Sequence, residues 1–400
     1  MANTSACLAL ARGDTERARQ ELLPVLNSTS REPGMRLTLA FGDMLLAISY
    51  LREGNPIRAT AILQPRLDIA ESELGRRSVV AAMLAAALAA ACHLRNEPER
   101  ALEALADRLD VIERVAVPDP IILAYRTLSG IALERGEEAR ALEILVALRD
   151  IGTARNLPRL VLNSLAEQVA IHAVRGRVQS ATELLAELDA MAPTFELAQY
   201  RDFGRHYRRC TELARAYLCL ARSDLDGAEA ALHTAADAPA SARHSAMTLV
   251  ARALLALVAH ERGRPEARGM LAEALGLAKL AGMQEFVESA HPLLAGMLAG
   301  PRIAAAETGA AEPARPRIEA VGADSAASAA VHATGGLLTP KEARILALLA
   351  VGRANKEIAR AMDIGEQTVK WHLKNVFFKL NAASRKHAVD RARLLGLLEG

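Results

Sequence analysis

Four hundred residues, 51% of them apolar but only 3% aromatic, imply more than one structural unit, with cores built from alanine, leucine, valine and isoleucine. Ala and Leu favour helices, so the composition points to an all-α chain. The net charge of +2 hides an asymmetry: residues 337–400 hold twelve Lys/Arg against six Asp/Glu, leaving 37 against 41 of the chain's 49 and 47 for the first 336. Positive charge concentrated in one small region points to a polyanionic partner.

The first residues, "MANTSACLALARGD", have neither a basic start nor a long apolar stretch, so no signal peptide is read and a cytoplasmic protein is expected. The longest apolar run, Val79 to Cys92, is too short and too alanine-rich to span a bilayer and reads as a packed helix. Cys7, Cys92, Cys210 and Cys219 form no CxxC pair, which fits free thiols in a reducing compartment.

Turn signals recur through the first three hundred residues, at Gly13, Gly54, Asn96, Gly136, Gly176, Ser223 and Gly263, spaced by 41, 42, 40, 40, 47 and 40 residues. Five residues after each of the first six stands an alanine: Ala18, Ala59, Ala101, Ala141, Ala181, Ala228. Nine after stands a leucine: Leu22, Leu63, Leu105, Leu145, Leu185, Leu232; the seventh copy has the pair one residue early, as Ala267 and Leu271. An Ala and a Leu four apart share a helix face, the small residue admitting a partner helix and the Leu filling the space beside it. Arg precedes the turn residue in six of seven copies, where a cation can meet the carbonyl end of a helix. Each unit therefore reads as a helical hairpin, and the copies must stack as a solenoid to bury their apolar faces. Over residues 1–298 the pattern resembles tetratricopeptide-like repeats in the longer form found in the sensor region of MalT-type regulators.

The longer fifth interval contains "YRDFGRHYRRC", Tyr200 to Cys210. It reads either as an anion or effector contact on the concave face or as a solvated helix face with a few packed rings. Residues 299–335, rich in Ala, Pro, Gly and Ser, are expected to be a flexible linker.

A small helical domain is expected over 336–400. Thr339 is a candidate N-cap, Pro340 suits the first helical position and Glu342 completes a capping box. Ile345, Leu348 and Leu349 stripe the first helix, which Gly352 ends. A second helix runs from about Asn355 to Met362, with Ile358, Ala359 and Met362 inward. A tight turn follows at Asp363 to Gly365, with Ile364 in the core, and a third helix starts near Glu366. At about 100° per residue, Val369, Leu373, Val376 and Leu380 form its core face, while Lys370, Trp371, Lys374, Asn375 and Phe378 fall on the outward one. Two lysines and an indole side by side suit a helix in the major groove of DNA, where lysine donates to guanine and an apolar ring meets a thymine methyl. Lys356, Lys379 and Arg385 would flank it and meet phosphates.

Across about 60 residues, "LTPKE", "NKEIA", "TVKWHLKN" and "KL" followed by "SR" occur in the order and spacing of the LuxR-type DNA-binding domain, which this segment resembles. The resemblance implies a four-helix domain with the helix-turn-helix at about 355–374 and a recognition helix at about 366–380. It implies that Lys370, Trp371 and Lys374 contact bases and that Asn355, Lys356, Thr368 and Asn375 help hold the DNA backbone. It also implies a fourth helix, Ser384 to about Leu395, that pairs in a dimer through Ala388, Val389, Ala392 and Leu395. Three positions depart from the family pattern: Arg344 replaces an acid, Gly365 replaces the serine that caps the third helix, and Phe378 replaces a basic residue.

Full MalT-type regulators begin with an ATPase, but this sequence has no GxxxxGK[ST], so no nucleotide switch is inferred. "HERGR", His260 to Arg264, lacks the second histidine of a zinc-protease helix, and no GxSxG or dinucleotide fingerprint occurs. No enzyme, metal or cofactor is expected. The reading is a transcriptional regulator that binds double-stranded promoter DNA, as a homodimer, with the repeats sensing a small-molecule or protein effector and RNA polymerase as a further candidate partner. The alternative is a helical-repeat interaction scaffold with weak or vestigial DNA binding.

Overall fold

The computed structural model describes residues 2–27, 36–114, 117–299, 340–362 and 364–380, together with 382, 385, 388, 389 and 392. The chain divides into two compact units, Met1–Arg302 and Ile303–Gly400, and all regular structure among the described residues is helical. From residue 300 on, the expected linker lies outside the described residues, as do Thr339, Asp363 and Leu395.

In the first unit seven hairpins follow one another. They are α1 (Ala2–Arg12) with α2 (Thr15–Leu26), α3 (Arg36–Arg52) with α4 (Pro56–Leu74), and α5 (Val79–Leu94) with α6 (Pro98–Leu105). The short α7 (Leu109–Arg114) leads to α8 (Pro118–Glu134) with α9 (Glu138–Ala154), then α10 (Pro158–Val174) with α11 (Val178–Asp189). After α12 (Ala192–Glu196) come α13 (Gly204–Ala221) with α14 (Leu225–Ala236) and α15 (Ala246–Glu261) with α16 (Ala267–Ala281), closed by α17 (Gln284–Glu288) and α18 (Pro292–Ala299).

The helix starts are written in the sequence. The side chains of Asp14, Asn55, Ser78, Asp224 and Ser245 each accept the backbone N–H three residues on, and Pro56, Pro98, Pro118 and Pro158 occupy first-turn positions where no N–H donor is needed. All seven turn residues take the left-handed backbone, with φ from +56° at Asn96 to +81° at Gly13. The paired alanines and leucines are all buried.

Ser223 adopts φ +59° where five of the other copies have glycine, and its side chain is exposed. A left-handed L-residue costs about 1–2 kcal/mol, part of which glycine gives back through its freer unfolded chain. Ser223→Gly is therefore expected to stabilise the unit by about 0.5–1 kcal/mol in urea unfolding; a loss of stability would contradict the left-handed turn.

The arginines before the turns do more than face carbonyls. Arg135 meets Glu99 at 3.9 Å, Arg175 meets Glu138 at 2.6 Å, Arg262 meets Glu229 at 2.7 Å, and Arg222 donates to Thr182 Oγ1 at 2.5 Å. Each partner lies in the second helix of the preceding hairpin, so these contacts register one repeat on the next. As solvent-accessible pairs they contribute little strength each, about 0–1 kcal/mol.

The first unit curls until its beginning meets its end. Ser241 Oγ donates to the Gly13 carbonyl at 3.2 Å, the Gly54 turn abuts the His244 carbonyl, and the Phe286 ring meets His93 edge-on at 5.7 Å. A cavity of about 320 Å³ remains inside this turn, and the first helix of every hairpin contributes to its wall. Core helix α5 buries every residue from Ala81 to His93, as expected for a run of small side chains. Among the described residues no helix is long and apolar enough to cross a membrane.

Candidate nucleic-acid interface

The second unit contains α19 (Pro340–Ala350), α20 (Asn355–Met362) and α21 (Glu366–Lys379). Ile345, Leu346 and Leu349 of α19, Ile358 and Ala359 of α20, and Val369, Leu373, Val376 and Leu380 form one buried core, with Met362 and Ile364 packed at its edge. Gly352 takes φ +81°, which ends α19 as anticipated. Leu346 is fully buried while Leu348 is only partly so, a small rotation of the expected stripe.

The burial of Val369, Leu373 and Val376 fixes the register of α21 about its axis. Thr368 and Lys370 are exposed on it, and Lys370 Nζ lies 3.4 Å from Glu366 Oε1, one turn earlier. That pair is open to solvent and holds Lys370 only weakly. Trp371, Lys374, Asn375, Phe378 and Lys379 belong to the same helix, but their side chains lie outside the described residues. On α20, Lys356 is exposed and Asn355 half-buried.

Arg385, taken as a phosphate contact, also has an internal role. Its Nη1 donates to Asn355 Oδ1 at 2.5 Å and its Nη2 to the Arg353 carbonyl at 2.6 Å, tying it to the start of α20. That start carries a second clamp that the sequence reading overlooked. Glu357 Oε2 accepts the Ala354 N–H at 2.8 Å and Glu357 Oε1 lies 3.4 Å from Arg353. The Ala354 N–H, then the nearby Arg353 and Arg360, hold the Glu357 carboxyl below the usual carboxylate range. An acid three residues into a helix was the available signal.

Part of the expected dimer seam is internal to the unit. Arg385, Ala388, Val389 and Ala392 have helical backbone, but Ala388 and Ala392 are fully buried in the unit's own core. Both methyl groups pack with the core residues of α19–α21. Val389, partly buried, is the described residue of the four that retains exposure.

Residues 336–392 match the family model of bacterial regulatory proteins of the luxR family. The chain is 46% identical over 65 residues to the HTH-type transcriptional regulator AlkS of Alcanivorax borkumensis, covering 16% of this chain and 8% of that protein. It is 38% identical over 66 residues to the transcriptional activator protein CarR of Pectobacterium carotovorum, covering 16% and 27%. With the HTH-type transcriptional regulator MalT of Vibrio cholerae it shares 41% over 63 residues, covering 16% and 7%. The chain thus spans well under a third of the length of these relatives, and no solved structure matches it. On the buried core, the helix order and this match, the chain carries a LuxR-type helix-turn-helix domain over residues 336–392.

Proposed function

We propose that the protein is a DNA-binding transcriptional regulator of the cytoplasm, with α21 as the helix that enters the major groove. The observation that carries this is the orientation of α21: its aliphatic stripe is spent on the core, which leaves Lys370 exposed on a domain with twice as many basic as acidic residues. On this reading Lys370, Trp371 and Lys374 contact base edges, Thr368 and Asn375 hold the DNA backbone, and Lys356 and Lys379 meet phosphates. Asn355 and Arg385, bonded to each other, brace the start of α20 against the backbone. The helical repeats receive an effector, and two copies meet on paired half-sites using Val389 and residues beyond Ala392.

Footprinting of the full chain on genomic promoter fragments tests this, with a discrete protected site expected. Equal, weak binding to promoter and random fragments would instead favour a scaffold whose DNA affinity is vestigial. Lys356→Ala should weaken every DNA sequence alike and lower the slope of log K against log salt by about one ion. Titrations at several salt concentrations measure it, and an unchanged slope removes Lys356 from the phosphate contacts.

A further inference from the structure

The cavity inside the solenoid turn is more basic than its surroundings require. Arg12, Arg52, Arg126, Arg159, Arg205 and Arg209 reach its wall against the carboxylates of Asp119 and Glu167, and with Arg12 paired to Asp202 an excess of three positive charges remains. The repeat region as a whole is acidic, with 34 Lys/Arg against 37 Asp/Glu over residues 1–298, so the excess is local. These arginines come from α1, α3, α8, α10 and α13, and no pair of neighbouring repeats accounts for them.

The acids present neutralise them only in part, and Arg12 is the one that turns to an acid outside the wall, Asp202, at 3.1 Å. Arg159 holds Asp119 through two hydrogen bonds of 2.8 and 3.0 Å, and Arg52 reaches the same carboxylate only at 3.9 Å. Arg126 lines the cavity and pairs with Glu167 at 2.5 Å, yet 42% of its side chain stays accessible. Arg209 has neutral partners, the Ala235 carbonyl at 2.9 Å and Thr248 Oγ1 at 2.8 Å. Arg205 lines the cavity, is exposed, and has no hydrogen bond or ion pair among the described residues. Burial, then the charges of Arg52, Arg159, Arg126 and Arg209, push His206 down to about 3, so the ring is neutral and adds no proton to this field. Between the arginines the wall offers apolar surface from Leu10, Ile48, Leu51, Ile122 and Phe286 beside neutral polar groups such as Thr127 and Asn163.

Uncompensated guanidinium groups inside a solenoid are costly, and a bound anion removes that cost with charge-assisted, often bidentate hydrogen bonds. We propose that this cavity binds a small organic anion with at least two phosphate or carboxylate groups attached to an apolar body, with Arg126 and Arg205 as its direct ligands. The volume admits a metabolite-sized molecule and excludes a folded partner. This deepens the reading of the repeats as the receiving module by naming the class of effector.

Isothermal titration of the full chain with pyrophosphate, citrate and sucrose, at fixed ionic strength and without DNA, tests it. Saturable binding of pyrophosphate or citrate at one site per chain is expected, with none for sucrose, and whichever anion binds separates phosphate from carboxylate recognition. Arg205→Gln and Arg126→Gln should each weaken that binding about tenfold or more. Arg140→Gln, whose target is an exposed arginine on α9 outside the cavity wall, should leave it unchanged. Thermal melts without ligand confirm that Arg205→Gln is folded. Failure of both anions to saturate, equal affinity in Arg205→Gln and wild type, or an equal loss in Arg140→Gln overturns the proposal. Because no DNA is present, such a failure leaves the DNA-binding reading standing, and a missing footprint leaves this one standing.

Discussion

Gly54→Ala is expected to destabilise the repeat unit by about 2–5 kcal/mol, whereas Gly136→Ala, at the equivalent turn two hairpins on, should cost only about 1–2 kcal/mol. Both glycines have φ +77°, so both variants place a methyl group on left-handed backbone and share that penalty. They differ in what the methyl group meets. At Gly136 nothing lies within 4 Å, but at Gly54 the new Cβ would stand 1.8 Å from the His244 carbonyl oxygen. That atom is backbone, held in the segment leading into α15, and it cannot swing aside as a side-chain tip would. Either the turn at Gly54 or the whole seventh hairpin must shift, which adds about 1–3 kcal/mol of overpacking. Urea unfolding of the two variants against wild type measures the difference, which is a large share of the 5–15 kcal/mol that stabilises a typical domain. If Gly54→Ala proves no worse than Gly136→Ala, the first hairpins do not close against the last in solution, and the cavity loses its wall.

The two hairpin turns also show why some of this architecture is legible in the sequence and some is not. A left-handed turn followed by Ala and Leu at fixed offsets is a local rule. It placed all seven turn residues, and the buried Ala and Leu of each copy follow from it. Closure is not local. It is the sum of small rotations between successive repeats, and no single residue encodes it. For the same reason the cavity arginines escaped notice: Arg52, Arg126, Arg159 and Arg205 are far apart in sequence and form no motif, while the one dense cluster, Tyr200 to Cys210, divides its labour. There Arg205, His206 and Arg209 line the cavity, while Tyr207 stacks on Phe195 with centroids 4.7 Å apart and Phe203 lies under Arg159 at 4.3 Å. The packed rings expected of that stretch are present, and the anion contact is the role proposed above for its cavity-lining residues.

In the helix-turn-helix domain the core of α19–α21 was legible because large aliphatic residues at helical spacing have one reasonable destination. Ala388 and Ala392 were not. A stripe of alanines on a short helix fits under its own domain or against a partner equally well, and only the packing decides. Arg385 was ambiguous for a related reason: a long cation near a helix start can face DNA or, as here, Asn355 and the Arg353 carbonyl.

Lys374→Ala should cost about 1–3 kcal/mol at the protected promoter site and flatten the preference among base substitutions there, with little change on random DNA. The argument is one of register. Val369, Leu373 and Val376 are fixed in the core, so positions 370 and 374 lie one turn apart along the remaining face of α21, and Lys370 is exposed on it. An ammonium reaching a guanine edge loses its partner when truncated and leaves acceptors on that base unmet, so the loss depends on sequence. A phosphate contact loses only counterion release, which is the same for every sequence and appears in the salt slope. Comparing Lys374→Ala with Lys356→Ala on one panel of single-base operator variants, at two salt concentrations, therefore separates the two roles within a single experiment. A uniform loss for Lys374→Ala across the panel, matching that of Lys356→Ala, would make position 374 a phosphate contact and move base reading to another residue of α21.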